Sequence, residues 1–194
     1  MDRALEVFWR HGYDGTSIVD LTEAMGISTP SLYAAFGNKR ELFARAADRY
    51  AENLRGQVDE ALARPSLRDS IRRLLITLAE ANTSETWPAG CFNVQAAMAC
   101  AAADHEIAEM LSGRRVAVYE LLVSRLERAV AEGELPSTVD VSALARFVAT
   151  LTSGIAVQAS SGVSREELRR IAETAVSAIP TASVSPDGPR TGEP

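Results

Sequence analysis

The 194-residue chain contains one lysine, Lys39; every other basic side chain is an arginine. Its formal net charge is −6 and its pI is about 5.1. With no basic coat to attract nucleic acid, any DNA contact has to rest on a few placed charges. Cysteine is as scarce. Cys91 and Cys100, with only His11 and His105 elsewhere, make neither a four-ligand zinc set nor a disulfide framework. They read as small buried hydrophobes in a reducing compartment. A thiolate sensor at Cys91, which opens a helical segment, is the alternative. His105, Glu106 and Glu109 lack a second histidine, so they mark a helix start on the surface rather than a metal site. No metal or cofactor is expected. No uninterrupted apolar run reaches the roughly 18 residues that a bilayer demands, and no leader pattern opens the chain. The expectation is a soluble, cytoplasmic protein with no membrane contact. There is no phosphate-cradling glycine loop and no pairing of base with nucleophile, so enzyme activity is the least favoured reading.

What the chain does have is helical periodicity. It is 46% hydrophobic, enough for a proper core. Its apolar residues recur at helical spacing almost throughout, without a strand ladder or an internal repeat. The class is all-α, with about nine helices. Ala4, Leu5, Phe8 and Trp9 form a first short helix closed by Gly12. Thr16 and Ser17 are cap candidates for a second, which ends at Gly26. Ser28 caps a third, with Pro30 in its first turn and Gly37 at its end. Asn38 and Glu41 pattern a capping box for a long fourth helix striped by Leu42, Phe43, Ala46, Tyr50, Leu54, Val58 and Leu62.

Arg64-Pro65-Ser66 interrupts this pattern, and the domain boundary is placed there: residues 1–63 as the head, 64–180 as the body, and 181–194 as a disordered tail rich in Pro, Ser, Thr and Gly. In the body, Leu67, Ile71, Leu74, Leu75 and Leu78 share one helical face. Residues 91–103 are apolar nearly all round and predict a buried helix. Asp104 is expected to cap a long helix running to about Glu132. Asp140 opens another helix, and Ser164 with Glu167 boxes the last.

Three short helices with a tight Gly26-Ile27 turn between the second and third predict a helix-turn-helix. Leu32 and Phe36, four apart, face the core. Thr29, Pro30, Ser31, Tyr33, Ala34 and Ala35 are left for the outer face, small enough for a major groove about 12 Å wide. Beside them, Lys39 adds a full charge to the positive end of the fourth helix, a natural phosphate site.

The run "ALEVFWRHGYDGTSIVDLTEAMGISTPSLYAAFGNKRELF" resembles the DNA-binding head of TetR-family transcriptional regulators (TetR/AcrR type). The resemblance spans about Arg3 to Leu54 and implies a two-domain, all-helical homodimer. Its head represses transcription at a palindromic double-stranded operator, and its C-terminal domain binds a small ligand that releases the DNA. Family phosphate contacts carry over onto Thr16, Tyr33 and Lys39. Base contacts carry over onto Thr29, Pro30, Ser31, Ala34 and Ala35, and Ser28 joins the DNA-facing set. Many members have polar or aromatic residues where Ala34 and Ala35 stand, so direct base hydrogen bonds are expected to be few. The basic arm that many members carry before the first helix is expected to be missing or truncated.

In the body, Trp87, Phe92, Gln95, Met98, Met110, Tyr119, Phe147, Leu151 and Gln158 are candidates to line a pocket for a small hydrophobic ligand. A helix-turn-helix protein that has lost DNA and serves as a ligand-binding or interaction module is the rival to the repressor reading.

Overall fold

The computed structural model describes residues 1–99 and 105–181. Among these are nine helices and no strand: α1 (Asp2–His11), α2 (Ile18–Met25), α3 (Thr29–Phe36), α4 (Lys39–Leu62), α5 (Leu67–Asn82), α6 (Phe92–Ala99), α7 (His105–Ala131), α8 (Val141–Ser160) and α9 (Arg165–Ser177). The expected Asp104 cap, Cys100, and the tail beyond Thr181 lie outside the described residues.

Local chemistry sets most of the boundaries. Gly26 ends α2 in the left-handed region (φ 66°, ψ 34°), its N–H donating to Glu23 O while Ile27 N–H reaches back to Thr22 O. That closes the turn a helix-turn-helix requires. Asp140 and Ser164 cap α8 and α9 as their sequence positions predict, and Ser66, within the expected break, caps α5. Of the two cap candidates for α2, Ser17 takes the role, because the Thr16 hydroxyl is buried and donates to Gly12 O at 2.7 Å. One expected detail differs. At α4, Asn38 accepts from Glu41 N–H, but the return bond runs from the Asn38 side-chain amide to the Glu41 carboxylate; the Asn38 backbone N–H goes to Phe36 O instead.

The chain builds two hydrophobic cores. One joins α1–α4 to the body: Leu5, Phe8, Leu21, Leu32, Leu42 and Phe43 pack with Phe92, Ala96, Ile107 and Leu111. The other holds α5, the second half of α7, α8 and α9, together with Ala61 at the end of α4. The first half of the body's longest helix therefore serves the head's core. Arg114 on α7 donates to Asp48 at 2.6 Å and to Ala47 O at 3.3 Å, and Arg40 pairs with Glu106 across the same seam. Residues 91–98 are less buried than their apolar composition predicts: Phe92 and Ala96 are buried, whereas Met98 is 72% exposed. An eight-residue helix laid across a seam covers only one face, whatever its composition.

At the α4–α5 corner, the buried Arg125 of α7 donates to Arg64 O, Pro65 O and Glu134, and Glu134 accepts from Leu67 N–H at the start of α5. Arg128 adds bonds to Leu62 O and Arg64 O. One pair of arginines thus satisfies the free carbonyls where α4 ends, while Glu134 meets the free N–H where α5 begins.

By length and composition α8 is apolar enough to cross a bilayer, yet only 28% of it is buried in the chain. Arg146, Thr150 and Gln158 interrupt it, which is why no continuous apolar run is visible in the sequence. Ala156 and Ala159 face the chain's own core, while Ala143, Phe147, Thr150 and Gly154 lie on the exposed side.

Candidate DNA-binding interface

α3 divides as its spacing predicts. Leu32 is fully buried and Phe36 half-buried, while Ser28, Thr29, Pro30, Ser31, Tyr33, Ala34 and Ala35 are exposed, Tyr33 at 46%. Ser28 caps the helix: its hydroxyl accepts from Ser31 N–H at 3.3 Å and lies 2.8 Å from the Ser31 hydroxyl. The outer face carries no charge. It offers hydroxyls, a ring edge and two methyl groups, which suits close approach to base edges and thymine methyls.

Lys39 starts α4 directly after α3. Its ammonium lies 4.4 Å from the centroid of the Tyr13 ring, so a residue from the turn after α1 holds the cation at the α4 terminus with its free N–H groups. Arg45 locks the other end of α3, donating to Ala35 O at 3.3 Å with its guanidinium 5.5 Å from the Phe36 ring centroid. At the start of α2, Ser17 N–H donates to the Asp20 carboxylate, and Asp20 N–H to the Ser17 hydroxyl. The Ser17 backbone N–H, and next the Ser17 hydroxyl, bond the Asp20 carboxylate and hold it below its usual range. Thr16, expected at a phosphate, has its hydroxyl proton committed to Gly12 O and is buried. The roles of Tyr13 and Arg45 are not visible in the sequence. Tyr13 stands within the quoted GY segment, but only the fold brings it to Lys39.

The body candidates divide between the two cores and the surface. Trp87 stacks on Trp9 of α1 with ring centroids 5.9 Å apart and planes at 18°. Phe92 is buried against Phe43 and Tyr50. Gln95 donates to Ala89 O at 2.7 Å, closing the loop before α6, and Met110 packs on the head-side core. Tyr119 meets the Ser142 hydroxyl at 2.7 Å, with Arg146 over its ring, and Leu151 packs on the other core. Met98, Phe147 and Gln158 are exposed. Among the described residues these nine do not surround one enclosed space, because α6 leans toward the head and carries Trp87 and Phe92 with it. Tyr50, beneath them, has its phenol pushed well above its ordinary value, chiefly by burial and next by the neighbouring Cys91. No group of three or more His, Cys, Asp or Glu stands where it could hold a metal ion among the described residues.

A helix-turn-helix head with a lone lysine beside its third helix, joined to a body with five helices among the described residues, is the architecture of a one-component DNA-binding regulator. Residues 1–46 match the family described as bacterial regulatory proteins, tetR family, and residues 93–181 match the BetI-type transcriptional repressor C-terminal family. The chain is 34% identical to the HTH-type transcriptional repressor ComR of Escherichia coli strain K12, over 90% of this chain and 84% of ComR. It is 33% identical to the HTH-type transcriptional regulator YezE of Bacillus subtilis strain 168, over 76% of this chain and 77% of YezE. A solved cysteine mutant of the TetR-family regulator CifR, complexed with 26-base-pair operator DNA, superposes with a TM-score of 0.87 at 39% identity, covering 92% of this chain and 94% of that one. The chain belongs to the TetR family. It is a DNA-binding transcriptional regulator, of a family that is not enzymatic.

Proposed function

We propose that this protein is a homodimeric, cytoplasmic repressor that reads a palindromic operator through the outer face of α3 and is released by a small hydrophobic ligand. Thr29, Pro30, Ser31, Ala34 and Ala35 approach the bases, with Ser28 at the groove's edge, while Tyr33 and Lys39 grip phosphates. The observation that carries this reading is the pairing of an uncharged, wholly exposed helix face with a lysine held at the next helix terminus. In an acidic chain, that pairing places positive potential where a phosphate has to lie. The exposed stripe of α8, Ala143, Phe147, Thr150 and Gly154, is the face we assign to the second copy. A dimer through it sets two copies of α3 about 34–36 Å apart, or farther on overlapping sites. The test is a mobility shift on the DNA upstream of the protein's own reading frame, titrated with salt. A sequence-selective shift that weakens steeply with salt is expected. Equal binding to random duplex, or none, would leave the protein a ligand-binding or interaction module.

A further inference from the structure

The protein has two tryptophans, and they stack on each other across the seam between head and body. Beside the stack lies a crevice of about 190 Å³, lined by Trp9, Tyr50 and Trp87 together with Asn53, Gln57 and Ser84. None of its lining side chains is charged. We propose that this crevice is the effector site, and that it takes a small, uncharged, planar molecule carrying a hydrogen-bond acceptor. This rests on the repressor reading above and names the place and chemistry of its ligand.

Three features define the class. The volume lies below the range of about 300–1,000 Å³ typical of drug-sized ligands, so a single ring with one polar substituent fits. An anion would meet no cation, and its desolvation would go uncompensated. A cation would find no open cage of ring faces. Trp9 is already stacked on Trp87 and set near right angles to Tyr50 and Phe92. The Tyr50 hydroxyl is engaged with Cys91 and Phe92 N–H, so Tyr50 offers its ring and not its oxygen. The amides of Asn53 and Gln57 stand at the exposed rim to orient a carbonyl or amide.

The coupling to DNA follows from an unmet donor. Trp9 is 5% exposed, and its indole N–H is buried with no acceptor among the described residues. Because that N–H is closed off in the stacked arrangement, a ligand acceptor gains access to it by parting the two indoles. The ligand therefore binds better to the parted arrangement, and this difference in affinity is what moves an equilibrium. Trp9 is on α1 of the head and Trp87 precedes α6 of the body, so parting them shifts head against body and changes the spacing of the two α3 helices.

Because both tryptophans line the crevice, the intrinsic indole emission of the full-length protein reports on this site. With benzamide as the probe, a saturable change in emission is expected, and benzoate, its charged counterpart, should give none. Gln57→Leu, at the exposed rim, should leave thermal unfolding unchanged and weaken benzamide roughly fivefold, the scale of one neutral hydrogen bond. Asn53→Leu is the second rim variant and should act alike. Saturating benzamide should weaken the mobility shift on upstream DNA roughly tenfold. The proposal is overturned if benzamide gives no saturable change, if benzoate binds equally, if both rim variants bind like the parent, or if bound benzamide leaves DNA affinity unaltered. A protein that shifts no DNA even without benzamide overturns the repressor reading instead, and the emission titration still decides the crevice.

Discussion

The Lys39 ammonium sits 4.4 Å from the centre of the Tyr13 ring, joining the turn after α1 to the start of α4. The ring contact orients the charge without neutralising it, so the full charge remains for a phosphate. Lys39→Ala should weaken binding to specific and random duplex alike and reduce the salt slope by about 1, read by mobility shifts at several salt concentrations. Tyr33→Phe should act in the same direction but more weakly, through one hydroxyl. Parent-like binding by Lys39→Ala at every salt would mean that no phosphate lies at this helix terminus.

Gly26 stands at φ 66° with open space where a side chain would go. Only its backbone conformation resists substitution. Gly26→Val should destabilise the head by about 1–2 kcal/mol, and Gly26→Asn by less, since asparagine tolerates the left-handed region. Denaturant unfolding measures both, and equal stability of the two variants would refute this account.

Arg125 is buried and bonds three acceptors at the α4–α5 corner. Arg125→Ala removes the charged partner of a half-buried Glu134 and the donor to the Pro65 carbonyl, and leaves the Arg64 carbonyl to Arg128 alone. A loss of about 3 kcal/mol is expected from chemical denaturation. A loss below about 1 kcal/mol, the scale of an exposed pair, would show that the corner does not depend on this side chain.

Phe147 is 41% exposed on the uncovered side of α8. Phe147→Glu should convert the dimer to monomer in sedimentation without DNA, and abolish operator binding while preserving helicity. A parent that already sediments as a monomer at micromolar concentration would rule out α8 as the assembly face.

Asp20 supplies a pH test. Its carboxyl is held below the ordinary 3.8 by the Ser17 bonds. A depressed carboxyl contributes stability that is present above its unfolded value and lost as pH falls through the lower folded value. Asp20→Asn should therefore be less stable than the parent near neutrality, and the gap should close below about pH 3.8. A gap independent of pH would assign the loss to something other than the charge.

The sequence by itself determined the helices of the head and their ends. Gly12, Gly26 and Gly37 stop α1, α2 and α3, and Ser28 and Asn38 start α3 and α4, because caps and left-handed turns depend on residues only a few positions apart. The division of α3 into a buried Leu32 side and an exposed Tyr33 side follows from helical period in the same way. Tertiary structure alone decided which distant residues meet. That Lys39 rests on Tyr13, that Trp87 stacks on Trp9, and that Thr16 is spent on Gly12 O while Ser17 caps are outcomes of the packing. Residues 91–98 illustrate the limit. Apolar composition announces burial without saying against what, so Phe92 went into the head's core while Met98 stayed in solvent. Local preferences act over a few residues, whereas a core is filled by whichever side chains the fold delivers to it, and that choice is made only when the helices pack.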